Sequence, residues 1–499
     1  MKWLSMLGLG LACLGAAACG PVEETGPSCP DPADGEVDEE CGIWVSASLG
    51  DDASPGTRAA PMASLSAAVA KATNENVNVY ACGELWTEPL ILPTVTWIYG
   101  GFDCHDGWRF KGEAHRARIE TGPDLIPLRT SGRGKVLQIS DFSIHAADAT
   151  VPGGSSIAVF VDDQNAVTFR RCDIAAGKGA DGLDAEAMEE LPPAGAAGNA
   201  GADACTAAGG PGGAAVETAC GTDALSRGGK GGDGGATLAT DGEAGLPAPR
   251  GEKDPNDPQD GDGGKGQAGA EACTPGEPGA DGAKGKHAII LTTPGRLAVE
   301  GYKGNDGLDG EDGLPGQGGG GGGGAQGGAA VCGAAMPGGA GGGAGGAGGC
   351  GGKGGKGGQA GGSSFAIAMR GNGEYFLDGC DVWVSNGGDG GKGALGQLGG
   401  AGGDPGQGGA GKGTLQNACP GGKGGAGGKG GGGAGGQGGH ALHFAFTFSS
   451  VHPSELSPGT TFHLGAFGGS GGDGAEGAIS GVDGYDGRFE NVLSFRFEE

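Results

Sequence analysis

The chain has 499 residues, of which 125 are glycine and only 5% are aromatic. An ordinary hydrophobic core cannot be spread through such a composition, so burial must be concentrated in short apolar runs between the glycines. The formal net charge of −29 argues against nucleic acid as a partner, because nucleic-acid binding depends on Lys and Arg neutralising phosphates.

The first 18 residues have the layout of a secretory signal peptide. Lys2 supplies the positive charge, and the apolar run 3–18 is shorter than the ~20 residues of a membrane span. The small residues before Cys19 resemble the lipobox of bacterial lipoproteins, although Ala16 stands where that motif usually has Leu. The resemblance implies a lipid on Cys19 and, with Gly20 next, an outer-membrane protein on the surface or periplasmic face. A plain signal peptide and a secreted protein are the alternative.

Residues 19–42 are expected to form an acidic linker that holds the body away from the lipid, and 43–177 an N-terminal cap and early rungs. A strand at Ile43–Ala47, a helix beginning near Pro61 and a strand at Val77–Cys82 follow one another. With the polar turn 50–57 between them, these segments resemble the opening of pectin-lyase-like right-handed parallel β-helix proteins. The resemblance implies that fold, with the helix closing one end, and carries over no catalytic residue.

Four later blocks share a plan of alternating apolar residues, a turn, a second apolar strand and then glycine. Their first strands align on Ala158, Ala288, Ala366 and Ala441. The pattern predicts an all-β protein, a right-handed parallel β-helix, with later rungs at 286–302 and 363–386 and final rungs with a C-terminal strand at 440–499. Long glycine-rich insertions are expected to leave from one corner at 178–285, 303–362 and 387–439.

The glycine-rich insertions are expected to be polyglycine II strands or mobile loops. Their composition resembles the glycine-rich (PGRS-like) repeats of some bacterial surface proteins. The stretch 301–319 keeps glycine at every third position, but it contains one proline, Pro315, where a collagen helix needs many.

Cysteine usage predicts disulfides. Removing Cys13 with the signal and Cys19 as the lipid site leaves twelve of the 14 cysteines, an even number in an exported chain. The candidate pairs are Cys82–Cys104, Cys29–Cys41, Cys205–Cys220 and Cys332–Cys350. Cys172 and Cys380 are equivalent in the repeat, but block 286–302 should separate them by ~9.6 Å, beyond the ~7 Å limit for a bridge, so no bond is expected.

The sequence predicts no catalytic constellation and no transition-metal site. Ser470 lies in a Gly-x-Ser-x-Gly match at 468–472, but no helix-forming run follows it, as a nucleophile elbow requires. His440 and His443 should point to opposite faces of a strand. The pectin-lyase-like resemblance implies clustered Asp for calcium binding or acid catalysis with Arg nearby, and the candidate group is Asp162, Asp163 and Asp173 beside Arg170 and Arg171. Calcium is also a minor alternative at Asp306, Asp309 and Asp312.

These observations favour a non-enzymatic lipoprotein of the cell envelope with a structural, adhesive or interaction role. Its partners would be the membrane, through the lipid, and a surface or polysaccharide ligand. The alternative hypothesis is a polysaccharide-binding or polysaccharide-degrading protein. It depends on the pectin-lyase-like resemblance and on aromatic residues expected to be exposed, which are Trp86, Trp97, Trp108 and Trp383.

Overall fold

The computed structural model describes residues 29–93, 97–131, 136–162, 166–206, 208–221, 224–247, 260–371, 374–447, 457–464, 467–475 and 483–495. The signal segment, Cys19 and the linker up to residue 28 lie outside the described residues.

Regular structure consists mainly of short strands. In chain order they are β1 (Gly42–Val45), β2 (Asn78–Cys82), β3 (Leu85–Trp86), β4 (Leu90–Leu92), β5 (Trp97–Asp103), β6 (Arg109–Phe110), β7 (Ala117–Glu120), β8 (Leu128–Thr130), β9 (Val136–Ser140), β10 (Phe142–His145), β11 (Ser156–Val161), β12 (Ala166–Arg170), β13 (Asp173–Ala175), β14 (Glu217–Ala219), β15 (Leu225–Arg227), β16 (Arg296–Ala298), β17 (Gly301–Lys303), β18 (Ser364–Met369), β19 (Glu374–Asp378), β20 (Asp381–Val384), β21 (Ala441–Phe446), β22 (Thr461–Leu464) and β23 (Phe489–Ser494). The helices are α1 (Leu65–Glu75) and α2 (Ala329–Cys332), with 3₁₀ turns at Glu39–Cys41, Cys104–Asp106 and Gly112–His115.

Among the described residues, these strands form three large sheets. Sheet one has the order β1-β2-β5-β9-β12-β19, with β6 added antiparallel to β5. Sheet two has the order β22-β20-β13-β10-β7-β3, and sheet three the order β23-β21-β18-β11-β8-β4. All other pairings in the three sheets are parallel, because neighbouring strands come from distant parts of the chain.

The prediction of a single right-handed parallel β-helix is wrong. The described strands form three large parallel sheets, and no such helix is present as one unit. Residues 286–302, predicted to be one of its rungs, join none of these sheets. Instead β16 pairs antiparallel with β17 in a hairpin whose two-residue turn is Val299 and Glu300, followed by Gly301 with a φ of +127°.

Because residues 286–302 belong to none of the three sheets, the blocks on either side of them are direct neighbours. β11 pairs directly with β18, and Ile157 and Val159 lie opposite Phe365 and Ile367, as the alignment of Ala158 with Ala366 requires. The fourth block is shifted by two residues from the prediction, because Ser364, not Ala366, lies opposite Ala441. A shift of two keeps every side chain on the same face, so the apolar alternation alone does not detect it.

The main core lies between the three sheets. The helix predicted after Pro61 is α1, and its buried residues Leu65, Ala68, Val69 and Ala72 pack on this core. The helix begins where the Ser64 hydroxyl accepts from the Ala67 N–H, and it ends at Asn76 in the left-handed conformation. Burial of each Leu- or Val-sized side chain contributes roughly 1.5–3 kcal/mol.

About half of the chain belongs to a second kind of structure, which we call the glycine lattice. It comprises the described residues of 177–285, 303–362, 387–439, 467–475 and 483–488. Backbone hydrogen bonds join its extended segments in steps of three residues: Gly343, Gly346 and Gly349 donate to Cys419, Gly422 and Gly425. This step equals the three residues per turn of polyproline II-type backbone.

One short segment shows how the lattice is held. The N–H groups of Gly341, Gly342 and Gly343 donate to three different tracts, at Ala202, Gly232 and Cys419. The carbonyls of the same three glycines accept from three further tracts, at Gly409, Gly213 and Gly322. Six neighbours therefore surround one segment, and a Cβ on Gly343 would overlap the Gly406 carbonyl oxygen. Glycine is required here because the backbones touch.

Candidate functional site

The outer face of sheet two carries the densest group of polar and aromatic side chains. Phe142, Ile144, Ile174 and Val382 point inward and are buried, so alternate residues point outward. One outward row runs Ser143, Asp173, Asp381, Thr461 on β10, β13, β20 and β22. The parallel row runs His145, Ala175, Trp383, His463 on the same strands.

Asp173 joins two residues of the neighbouring strand β10. Its Oδ2 accepts from the Ser143 hydroxyl at 3.0 Å and lies 2.9 Å from His145 Nε2. Partial burial raises the pKa of Asp173, but the hydrogen bonds from His145 and Ser143 outweigh it, so this pKa lies below its usual value. The carboxylate stands between serine and histidine, so the histidine is not placed to take a proton from the hydroxyl, as nucleophilic catalysis requires.

The same arrangement recurs farther along the face. His463 Nε2 lies 3.2 Å from Asp381 Oδ1, and its ring stacks on Trp383 with centroids 3.5 Å apart and planes 5° from parallel. Trp383 remains 44% exposed. The face therefore offers carboxylates, imidazoles and an indole on rigid strands, which is the chemistry of a binding surface.

A polar groove lies beyond the carboxyl ends of these strands, where the chain enters the glycine lattice. Its volume is about 610 Å³, and its lining includes Asp148, Lys178, Asn386 and Phe467. Phe467 is 73% exposed. Two of the polar side chains hold backbone, because Asp148 accepts from the Lys178 N–H and Asn386 from the Phe467 N–H.

The outer faces of the other two sheets are largely covered. On sheet three, Leu297 and Tyr302 of the β16–β17 hairpin pack with Phe365 and Phe495. On sheet one, the N-terminal segment packs over Trp44, and a cleft of about 700 Å³ lies between that segment and Trp108.

A charged cluster fastens the N-terminal segment to sheet one. Arg171 donates to both carboxylate oxygens of buried Asp141, at 2.9 and 2.7 Å, and also lies 3.5 Å from Asp31. Arg170 lies 3.6 Å from the same Asp31. Two of the residues proposed as a calcium or acid group, Arg170 and Arg171, therefore serve an internal contact on sheet one.

The acidic residues named from the sequence do not come together as one site. Asp162 pairs with Arg370 at 2.8 Å, whereas Asp173 lies on the outer face of sheet two. Asp163 lies outside the described residues.

The second calcium candidate has another role. Asp306, Asp309 and Asp312 accept from the N–H groups of Ala360, Gly357 and Gly354 in the adjoining tract. Lys356 and Lys353 also bind Asp309 and Asp312, at 2.6 and 2.7 Å. These carboxylates cap outward-pointing peptide N–H groups of the glycine lattice.

Two predicted disulfides are present: Cys29–Cys41 and Cys82–Cys104. The pairs Cys205–Cys220 and Cys332–Cys350 are wrong. Cys205 bonds to Cys332, Cys220 to Cys350 and Cys273 to Cys419, with sequence separations of 127, 130 and 146. Each of these bonds joins glycine tracts that are distant in sequence but adjacent in the lattice.

Cys172 and Cys380 are both free and buried. The argument that block 286–302 separates them is wrong, because β12 pairs directly with β19 and β13 with β20. The Cys172 N–H points at Cys380 Sγ at 3.4 Å.

One group in the described part of the chain has the spacing of metal ligands, namely Cys82, Glu84 and Cys104. Its two cysteines form a disulfide, so their thiolates are not available as ligands. Ser470 lies within the glycine lattice, between Gly469 and Gly472, whose N–H groups donate to Gly439 and Gly436.

Three of the aromatic residues expected to be exposed are partly or wholly covered. Trp86 and Trp108 are buried, and Trp97 is half-buried against the core. Trp383 alone among these four is largely exposed. His440 and His443 are fully buried on β21, where they bond to Pro294 and Asn491.

Compared with protein-family models, with curated proteins and with solved structures, the chain shows no match in any of the three. Within the described ranges, no helix has the length and apolar character needed to cross a bilayer.

Sequence reasoning missed His145, Asp381 and His463. A signal was present in the repeat, because Asp173 follows Cys172 just as Asp381 follows Cys380. With the two cysteines in neighbouring turns, the aspartates must lie side by side on one face.

Proposed function

We propose that this protein is a non-enzymatic structural and interaction protein of the cell envelope, held to the outer membrane by a lipid on Cys19. The observation that carries the proposal is the glycine lattice. A segment such as Gly341–Gly343 is bonded to six neighbouring tracts, and three disulfides join tracts that are 127 to 146 residues apart. Such a body suits a rigid support better than a catalyst that closes around a substrate.

Five disulfides among the described residues support an extracytoplasmic location. Disulfides of this number persist in oxidising compartments and are rare in the cytosol of most organisms. The net charge of −29 favours an exposed, self-repelling protein with cationic rather than anionic partners.

Labelling of producing cells with a palmitate analogue tests the anchor. We expect the wild-type chain and a Cys13→Ala control to carry the label and to partition with the outer membrane. Cys19→Ala should lose both properties. An unlabelled wild-type protein that is released into the medium would overturn the anchor.

A screen of the purified protein on acidic and neutral polysaccharides tests the non-enzymatic role. The rival polysaccharide hypothesis retains Trp383 as its one largely exposed aromatic candidate of the four. We expect no lyase or hydrolase turnover. Turnover that persists after repurification and is lost in a variant of the outer face of sheet two would establish the rival instead.

A further inference from the structure

The outward row on sheet two contains a gap between two rings. Ala175 lies directly opposite His145 on one side and Trp383 on the other. Neighbouring strands are ~4.8 Å apart, so the backbones that carry His145 and Trp383 are separated by about 9.6 Å. Ala175 contributes only a methyl group at this position, and the His145 ring reaches towards the same strand, where its Nε2 lies 2.9 Å from Asp173 Oδ2.

The orientation of Trp383 follows from its stacking on His463. These residues are opposite each other on neighbouring strands, and their ring planes are 5° from parallel at 3.5 Å. The indole therefore lies across the direction in which the strands stack. One of its faces is covered by His463, and the other looks back over Ala175. We call the space above Ala175, between Trp383 and His145, the Ala175 slot.

The slot has the width of one flat group. A group midway between the flanking strands would lie about 4.8 Å from each, which is within the ~6 Å over which a cation is attracted to an aromatic face. The 44% exposure of Trp383 leaves the indole accessible from solvent.

Carboxylates border the same slot. Asp173 and Asp381 lie directly opposite each other in the adjacent row. The side-chain contacts of these residues use Oδ2 of Asp173 and Oδ1 of Asp381. Each carboxylate therefore has a second oxygen for a ligand, and both attract a positive charge.

We propose that the Ala175 slot binds the guanidinium of an arginine side chain presented by a partner protein. The guanidinium stacks on Trp383 and donates to Asp173 and Asp381. A guanidinium is planar and fits the width of the slot, and its positive charge is attracted to the indole face. Its N–H donors can bond to both carboxylates. The inference rests on the interaction role proposed above and names the partner's chemistry.

Other ligands satisfy fewer of these conditions. A lysine ammonium has the charge but not the plane, and a neutral aromatic ring has the plane but leaves the carboxylates unpaired. A nucleobase brings phosphates, which the net charge of −29 repels.

Peptides of one sequence test the proposal on the full-length mature protein. The probe is an acetylated, amidated pentapeptide with one central arginine between glycines, and its binding is followed by ligand-detected NMR. Matched peptides replace arginine by lysine, which lacks the plane, and by citrulline, which lacks the charge. We expect the arginine peptide to bind at least tenfold more tightly than either.

Substitutions then locate the site. Ala175→Leu fills the slot and Trp383→Ala removes its wall, so each should weaken arginine-peptide binding at least tenfold. Ile91→Ala changes an exposed residue of β4 on sheet three, away from this face, and should have no effect. If Ala175→Leu fails to fold, Trp383→Ala and the titrations of the wild-type protein with the three peptides still test the proposal.

Three results would overturn the inference: equal binding of the lysine peptide, arginine binding that Ala175→Leu leaves unchanged, or a preference for a neutral oligosaccharide at this face. Absence of peptide binding would also overturn it. None of these results alters palmitate labelling of Cys19, so failure of the slot is distinguishable from failure of the envelope role.

Discussion

Cys172 and Cys380 lie next to each other, between the paired strands β12–β19 of sheet one and β13–β20 of sheet two, although 208 residues separate them. The Cys172 N–H points at Cys380 Sγ at 3.4 Å, and both side chains are buried. Their sulfur atoms also approach backbone carbonyls, Cys172 that of Ile139 and Cys380 that of Phe169. In a chain with five disulfides among its described residues, these two buried thiols are free.

We expect both thiols to resist alkylation in the native protein and to react once the chain unfolds. Burial raises the pKa of the Cys172 thiol, which lowers the fraction of reactive thiolate. The hydrogen bond with Cys172 lowers the pKa of the Cys380 thiol, so Cys380 is protected by burial from the reagent and not by its pKa. Mass spectrometry after iodoacetamide treatment, with and without guanidinium and without reductant, measures this. Rapid native labelling of either cysteine, or a peptide that bridges Cys172 and Cys380, would contradict the expectation.

A methyl group inside the glycine lattice should be costly. A Cβ on Gly343 would overlap the Gly406 carbonyl oxygen, and both atoms belong to the backbone, which cannot rotate away. We expect Gly343→Ala to reduce the free energy of unfolding by about 1–3 kcal/mol, the usual cost of overpacking. Thermal and denaturant unfolding of the purified protein measure the change.

Gly328→Ala is the matched control. Gly328 also belongs to the glycine-rich stretch 303–362, but a Cβ there would meet no atom within 4 Å. Its φ of 165° is extended backbone that alanine adopts. Equal losses in the two variants would mean that close backbone contact is not what requires glycine.

The acidic residues of the lattice should stabilise it through hydrogen bonds rather than through ion pairs. Asp309 accepts from the Gly357 N–H at 2.9 Å and pairs with Lys356 at 2.6 Å. Both partners of the pair are more than half exposed, so solvent screens the pair and its Coulomb contribution to stability should be small. The Asp309 oxygen that accepts from the Gly357 N–H is more important, because no other acceptor for this N–H is found among the described residues.

We therefore expect Asp309→Ala to lower stability by about 1 kcal/mol. Asp309→Asn keeps an acceptor oxygen and should lose less, and Lys356→Ala should leave stability close to that of wild type. Denaturant unfolding in low and high salt separates the contribution of the hydrogen bond from that of the ion pair. A larger loss in Lys356→Ala than in Asp309→Ala would mean that charge pairing dominates.

The alternation of apolar residues was enough to predict which side chains share a face, but it left the register open. Ala441 and Ala445 both fit opposite Ala366 by pattern, and the structure places His443 there, two residues from Ala441. In block 286–302 the alternation is equally clear, yet β16 and β17 form an antiparallel hairpin about Val299 and Glu300. An alternation of apolar residues with a period of two does not specify which strand lies next to which.

The disulfides, too, could be predicted only where the two cysteines are close in sequence. The pairs Cys29–Cys41 and Cys82–Cys104 are 12 and 22 residues apart, so the first could be predicted as closing the linker and the second from neighbouring early strands. Cys220–Cys350 could not, because its partners meet through glycine tracts that have almost no side chains to pattern. The contacts of Asp173 and Asp381 were equally hidden, since they depend on β13 and β20 being neighbours.

His440 should make stability depend on pH between about 4 and 6.5. Its ring is fully buried, Nδ1 accepts from the Arg488 N–H at 2.8 Å, and Nε2 therefore carries the proton that it donates to the Pro294 carbonyl. Burial lowers the pKa of His440 to about 4. The folded protein thus disfavours the imidazolium, whereas the unfolded chain protonates near the ordinary value of ~6.5.

The sign follows from proton uptake on unfolding. Above pH ~6.5 neither state is protonated at His440, and its contribution to stability is fully present. As the pH falls towards 4, the unfolded state binds a proton at His440 that the folded state does not bind. Stability therefore decreases, by at most about 3 kcal/mol. Buried His443, whose pKa is also lowered by burial, adds to the same window.

Unfolding free energies of wild type and His440→Gln, measured from pH 4 to pH 7, isolate this residue. Glutamine is neutral throughout, so the variant should lose less stability than wild type on acidification, and the difference should vanish above pH ~6.5 apart from a constant offset. Carboxylates whose pKa is lowered, such as Asp309, also lose stabilising effect as the pH falls below about 5, but they are common to both proteins and cancel in the comparison. Identical slopes in the two proteins would mean that His440 is protonated as readily in the folded chain as in the unfolded one, and that solvent reaches its ring between β21 and the Pro294 turn.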